Sequence, residues 1–255
     1  MALLKVENIG KTFGGVCAVD GFSMELDRKE VVGIIGPNGA GKTTIFNLIS
    51  KVYKTDCGGL WLDEADISGC TQEQAARSGI GRTFQNIRLF TGLSVLDNVK
   101  VSCDYKPRYS LLEAVLSLPR AVKGKKKTQS EAMECLKAVG LERFANERPG
   151  NLPYGMQRRL EIARALALKP KVLMLDEPAA GLNPEECVEL VSFLKDVTQK
   201  FDLALIIIEH RMDVVMNLCD RIYVQDFGKN IAVGTPLEIQ NNPKVLAAYL
   251  GEGDD

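Results

Sequence analysis

The stretch GPNGAGKTT, residues 36–44, lies between the apolar run VVGII (Val31–Ile35) and the helix-like IFNLIS. It fits G-x-x-x-x-G-K-[ST] through Gly36, Gly41, Lys42 and Thr43, with Pro37, Asn38, Gly39 and Ala40 between them and Thr44 after. Glycines here let the backbone curl until several N–H groups face one phosphate chain, and the helix behind adds its positive end. Lys42 is placed to reach the β- and γ-phosphates, and the Thr43 hydroxyl to complete a Mg²⁺ shell. The four-position pattern arises by chance in on the order of one chain in a hundred. Its position between a strand and a helix is the context that separates a phosphate loop from an ordinary glycine turn. A chain built around it needs a buried strand feeding a helix.

Two more short, branched-rich runs have the same character: VLML (Val172–Leu175) and LALIII (Leu203–Ile208). Runs of this kind, bounded by polar or Gly/Pro residues, suit strands buried on both faces. Helical spacing accompanies them. After Pro184, the apolar residues Cys187, Leu190, Val191, Leu194, Val197 and Phe201 form one stripe, and MQRRLEIARALAL aligns Leu160, Ala163 and Ala167. The alternation predicts an α/β domain with a mainly parallel sheet. The N-terminal third, with turns such as FGG and DG, predicts appended antiparallel strands. Between about Ser94 and Pro149 strand-like runs vanish, and SLLEAVLSL and SEAMECLKAV predict an inserted helical subdomain in which Lys123–Lys127 is a solvated loop. The expected division is residues 1–93 with 151–255 for the core and 94–150 for the helical part.

Composition narrows the function classes. Lys plus Arg is 32 against 33 for Asp plus Glu, a balance that argues against a nucleic-acid partner. The seven cysteines are scattered without a CxxC pair, and with one histidine a zinc site is not expected. No apolar run approaches the roughly 18 residues of a membrane span, so a cytoplasmic protein is expected.

VLMLDEP supplies what a phosphate loop still needs: Asp176 at the end of a buried strand for Mg²⁺, and Glu177 to orient or deprotonate an attacking water. The single histidine, His210 in LIIIEHRM, ends another apolar strand, where ligands bind in parallel sheets.

At NLPYGMQRRLEIARALA, from Asn151, the chain resembles the signature segment of ABC-type ATPases, and further motifs of that family follow in order. The resemblance implies a fold with a P-loop ABC-type core, an N-terminal antiparallel β subdomain and an inserted helical subdomain. It implies that Phe13 in KTFGG stacks on adenine. Gln85 in RTFQN would be the Q-loop glutamine that touches Mg²⁺ and the water. Glu177 would be the catalytic glutamate, AGLN (Ala180–Asn183) the D-loop, and His210 the switch histidine at the γ-phosphate, with Glu209 only its neighbour. Leu152, Tyr154 and Gly155 would contact the nucleotide of a second chain. ATP and Mg²⁺ are the implied ligands.

Two positions depart from the broad family pattern. LPYGMQ (Leu152–Gln157) stands where LSGGQ is usual, so Pro153 replaces the serine, and Asn183 replaces the D-loop aspartate. Weakened ATPase activity and a subfamily habit are both compatible with this, the second being favoured. FGGVCAVDGFSMEL, GRTFQNIRLFTGLSVLDNV, DEPAAGLNP, IEHRMDVVM and NNPKVLAAYLGE are similar to the ATP-binding subunits of branched-chain amino-acid importers, the LivG-like type. That resemblance implies transmembrane permease subunits, a homodimer or a heterodimer with a similar ATP-binding subunit, and indirectly a substrate-binding protein. It also implies a peripheral position on the cytoplasmic face of the membrane. Alternatives are the ATPase of a urea, short-amide or lipopolysaccharide transporter, a regulatory subunit with little ATPase activity, and a soluble non-transport ABC ATPase.

Overall fold

A computed structural model describes residues 2–83, 87–103, 110, 113, 116 and 118–250. The chain forms two compact units, Met1–Gln85 with Lys171–Asp255, and Asn86–Pro170.

The larger unit contains two sheets. One is antiparallel, in the order β2-β1-β4-β5, from β1 (Leu4–Phe13), β2 (Val16–Leu26), β4 (Cys57–Leu62) and β5 (Ala65–Asp66). Gly14 and Gly15, at φ 53° and 89°, close the β1–β2 hairpin, which leaves Phe13 at its tip. A two-residue turn with positive φ at both residues has a backbone twist that matches the flanking strands. The FGG turn is therefore where the sequence put it. The DG pair is different: Asp20 and Gly21 lie inside β2, where the β1–β2 register shifts between Ile9 and Lys11. A positive φ can serve a bulge as well as a turn, and sequence does not distinguish them.

The second sheet runs β10-β9-β3-β8-β7-β6. Its strands are β3 (Val31–Ile35), β6 (Ile80–Arg82), β7 (Val172–Asp176), β8 (Ala204–Ile208), β9 (Arg221–Asp226) and β10 (Lys229–Gly234). All neighbours are parallel except β10, which returns antiparallel to β9. Every residue of β3, β7 and β8 is buried, as near-continuous apolar runs require. Phe22 from the antiparallel sheet, Phe46 from α1 (Lys42–Ile49) and Ile206 from β8 are fully buried in one core cluster. The phosphate-loop helix is thereby fixed to both sheets.

Helix α2 (Gln72–Ser78) carries a capping box from Thr71 and Gln74, and α6 (Pro184–Lys200) carries one from Asn183 and Glu186. The expected stripe of α6 is buried at Cys187, Leu190, Leu194 and Val197, with Phe193 added and Val191 half-buried. The short α7 (Met212–Leu218), α8 (Pro236–Gln240) and α9 (Pro243–Leu250) complete the unit.

The smaller unit is helical among its described residues: α3 (Val95–Cys103), α4 (Pro119–Ala138) and α5 (Tyr154–Leu166), with 3₁₀ turns at Glu142–Phe144 and Pro149–Asn151. It extends beyond the expected 94–150, because α5 packs on α3 and α4. The signature helix therefore belongs with the helices. Lys123–Lys127 is solvated for the most part, but it is the second turn of α4 and not a loop. Straight-chain lysines favour helix, and that preference outweighs the roughly 1 kcal/mol cost of Gly124, itself buried. SLLEAVLSL falls largely outside the described residues.

Because β8 is central and buried on both faces, Ile206→Ala is expected to cost about 2–5 kcal/mol, and Val233→Ala on exposed β10 within about 0.5 kcal/mol. Urea midpoints of the two variants measure the contrast.

Candidate active site

The carboxyl ends of β3, β8 and β7 lie side by side, and each leads into a segment singled out by sequence. After β3 the backbone turns through Gly36 and Gly41, at φ 148° and 96°. A Cβ on Gly36 would stand 2.0 Å from the Gln225 carbonyl oxygen, and one on Gly41 2.3 Å from that of Ala18. Close backbone approach, as well as positive φ, excludes side chains at both places. Lys42 opens α1 and is buried, its Nζ donating to the carbonyls of Gly36 and Pro37 at 2.6 Å each. The lysine thus holds the loop in its curl. Pro37 and Ala40 are buried, whereas Asn38, Gly39 and Thr43 are exposed and Thr44 is half-buried.

A cleft of about 250 Å³ is lined by Asn38 to Thr44, Ala18, Glu177, Ile208 and His210. Residues from three strand ends, far apart in the chain, thus share one cavity. His210 Nε2 is 3.3 Å from Glu177 Oε1. Glu177 has φ 48°, in the left-handed region, and its N–H donates to Ile208 O at 2.9 Å. Strained backbone of this kind persists where surrounding structure over-determines it, and it clusters at functional sites.

Asp176, the last residue of β7, is almost fully buried and 3.1 Å from Arg82 Nη2. Arg82 also donates to Asn47 Oδ1 at 2.7 Å and Ser50 Oγ at 2.9 Å, and its guanidinium lies 5.6 Å from the Phe46 ring centroid. Sequence reasoning missed Arg82. It lies on a three-residue strand too short for periodicity to reveal, next to the more conspicuous TFQN. Thr43 and Asp176 offer hydroxyl and carboxylate oxygens, the hard donors that Mg²⁺ prefers, so the residues present fit that ion. Gln85 lies outside the described residues.

Phe13 is exposed at the hairpin tip, edge-on to Tyr53 with ring centroids 5.3 Å apart, and Lys11 Nζ is 5.6 Å from its centroid. In the helical unit, α5 begins at Tyr154 with Pro153 as N-cap. Tyr154 is exposed, Gly155 half-buried, and the Tyr154 hydroxyl accepts from Arg158 Nη2 at 3.2 Å. Leu152 is buried, its carbonyl accepting from Gln157 Nε2 at 2.9 Å. Its side chain is a packing element of the helical unit. Among the described residues no cluster of three or more His, Cys, Asp and Glu is arranged to hold a metal.

Comparison with known proteins decides the family. The ABC transporter family profile matches residues 19–180. The chain belongs to the ABC transporter family. A second profile, the branched-chain amino acid ATP-binding cassette transporter, matches residues 229–255. The high-affinity branched-chain amino acid transport ATP-binding protein LivG of Salmonella typhimurium is 44% identical over 250 residues, 98% of each chain. The ADP conformation of MJ1267, an ATP-binding cassette of an ABC transporter, superposes with a TM-score of 0.85 at 32% identity, covering 98% of this chain and 99% of that one. The dimeric post-hydrolysis structure of the cassette MJ0796 bound to ADP and Pi gives 0.75 at 26% identity, covering 91% and 98%. As an ABC ATPase this chain binds nucleotide. Among its described residues no helix is long and apolar enough to cross a membrane.

In this ABC ATPase the Arg82–Asp176 pair is nearly solvent-free, with side chains 10% and 6% exposed. Arg82→Met is expected to destabilise by about 3–5 kcal/mol, because it removes one partner of a nearly solvent-free ion pair. Arg82→Met combined with Asp176→Leu should recover most of the loss in a denaturant melt.

Proposed function

We propose that this chain is the ATP-hydrolysing subunit of an importer for branched-chain amino acids, held by permease subunits on the cytoplasmic face of the membrane. The observation that carries the proposal is the 44% identity to LivG over 98% of both chains, which extends beyond the nucleotide motifs. The match of residues 229–255 to the branched-chain amino acid profile supports the same group.

In this scheme ATP lies along Gly36–Thr44, with adenine on Phe13. Loop N–H groups and Lys42 bind the β- and γ-phosphates. To do so Lys42 Nζ exchanges its donations to Gly36 and Pro37 for phosphate oxygens. Glu177 orients a water in line with the γ-phosphorus and accepts its proton as the O–P bond forms and the bond to ADP breaks. His210, 3.3 Å from Glu177, donates to a γ-phosphate oxygen as charge develops there. Thr43, Asp176 and Gln85 would hold Mg²⁺, which would supply positive charge to offset that of the phosphates.

A second cassette, identical or similar, completes the site. Its Tyr154 and Gly155, at the N-terminal end of α5, face the γ-phosphate, where the helix dipole favours an anion. The similarity to the dimeric MJ0796 cassette supports such pairing. The loop before α3 meets the permease. Phe90 and Leu93 are exposed there, while Asn98 ties the loop down through Phe90 N and O at 2.9 and 3.0 Å.

Affinity purification of the tagged chain from gently solubilised membranes is expected to recover multi-spanning permeases with a second ATP-binding subunit, and to allow reconstituted leucine uptake. Recovery of ribosomal or DNA-associated proteins alone would sink the transport proposal. Within that complex, Glu177→Gln should bind ATP and slow turnover by about 10²-fold or more. Lys42→Ala should weaken nucleotide binding by on the order of tenfold, since it removes a charge-assisted contact. Isothermal titration and phosphate release read the two effects separately.

A further inference from the structure

Glu209 is 2% exposed and does not line the nucleotide cleft. A buried carboxylate is costly unless hydrogen bonds compensate it, and here three backbone donors do so. Oε1 accepts from Ala179 N at 2.6 Å, and Oε2 accepts from His210 N at 3.2 Å and Arg211 N at 3.4 Å. The two oxygens therefore reach different segments. One holds the turn that follows Glu177, and the other holds the backbone that carries His210.

Arg211 makes a second link of the same sense. Its Nη1 donates to Leu182 O at 2.8 Å, while Nε and Nη2 grip Asp213 at 3.2 and 2.8 Å in the first turn of α7. His210 is thus flanked by two residues that each hold the segment 179–182, one at each end. The backbone bond from Glu177 N to Ile208 O adds a third tie.

We propose that Glu209 and Arg211 form a two-point clasp that sets His210 against Glu177, with Glu209 acting as a positioning residue for γ-phosphate hydrolysis. The proposal rests on the roles given above to Glu177 and His210. Glu209 transfers no proton to the nucleotide, because it lies outside the cleft and both its oxygens accept from backbone N–H groups. Glutamine cannot replace it: an amide offers one acceptor oxygen, so its NH₂ group would face the donors of one segment or the other. Aspartate is one methylene too short to span both. The sequence requirement is an acceptor-only carboxylate with this reach.

The test compares Glu209→Gln, Arg211→Ala, Arg211→Lys and Glu177→Gln in the full-length chain within its membrane complex. Steady-state phosphate release, nucleotide affinity and melting temperature are measured for each. A displacement of about 1 Å near a reacting centre costs on the order of 10²-fold. Glu209→Gln is therefore expected to lower kcat by about 10- to 100-fold, with KM and nucleotide affinity within about twofold of wild type. Arg211→Ala should lower kcat several-fold, and Arg211→Lys should restore part of it. Glu209→Gln combined with Arg211→Ala should lose less than the product of the two single losses, as parts of one unit do. Wild-type kcat in Glu209→Gln would overturn the clasp, as would a kcat loss matched by equal losses of affinity and melting temperature. If Glu209→Gln does not fold, the partly exposed Arg211 decides the matter through the same kcat-against-KM comparison. Normal turnover in Glu177→Gln would instead overturn the hydrolytic role of Glu177, whatever the Glu209 variant does.

Discussion

Parallel pairing of β3, β8 and β7 is the constraint from which the rest of the site follows. Strands in one sheet lie about 4.8 Å apart. Once Val31–Ile34 pairs with Leu205–Ile208, and Val172–Asp176 with Ala204–Ile208, the residues that follow each strand must emerge together. Gly36, Glu177 and Glu209–His210 are neighbours for that reason. No local interaction among them is needed to bring them into reach. Burial of both sheet faces fixes the register, since a one-residue slip would misplace every apolar contact. The core chemistry and the site chemistry are in this sense one specification: the apolar runs determine where the polar residues end up.

Much of this was legible in the sequence, but unevenly. The three central strands stand out as branched apolar runs because they are buried on both faces, and their tails carry the motif residues. The short β6, the edge strand β10 and the interior bulge at Asp20–Gly21 left no comparable mark, because short length, exposure or a lone glycine is ambiguous in one dimension. Arg82 left no mark, and Glu209 showed only as the neighbour of His210, for a different reason. Each acts through long-range contacts, 94 positions away to Asp176 in one case and 30 to Ala179 in the other. Such partnerships have no spacing that a sequence pattern can encode. The lysine run misleads in the opposite direction: its solvated composition suggests irregular backbone, whereas a helix can be solvated on most of its surface.

The two departures from the broad family pattern differ in physical meaning. Asn183 caps α6, its side chain accepting from Glu186 N at 2.9 Å while Glu186 returns a bond to Asn183 N at 2.8 Å. Asparagine and aspartate are near equivalents as caps, so this exchange preserves the local geometry and removes a charge. Pro153 caps α5 without any side-chain hydrogen bond. It replaces a hydroxyl with a ring that fixes φ, so the entry to the helix is stiffened where polar contact is lost. Tyr154, held by Arg158 through its hydroxyl and its ring face, restores a polar group at the same helix end.

Glu177 occupies a left-handed backbone position that glycine or asparagine would adopt at lower cost. The residue there is consequently at odds with the chain's own conformational preference. Any selection for thermal robustness alone, in the laboratory or in a lineage released from its transport role, would drift toward a small residue at 177. Such a cassette would be sturdier and, under the role proposed above for Glu177, inert. Under that role the carboxylate is held against the chain's own backbone preference, and its loss in a relative with the remaining motifs intact would mark a cassette that keeps its fold and its nucleotide without turnover.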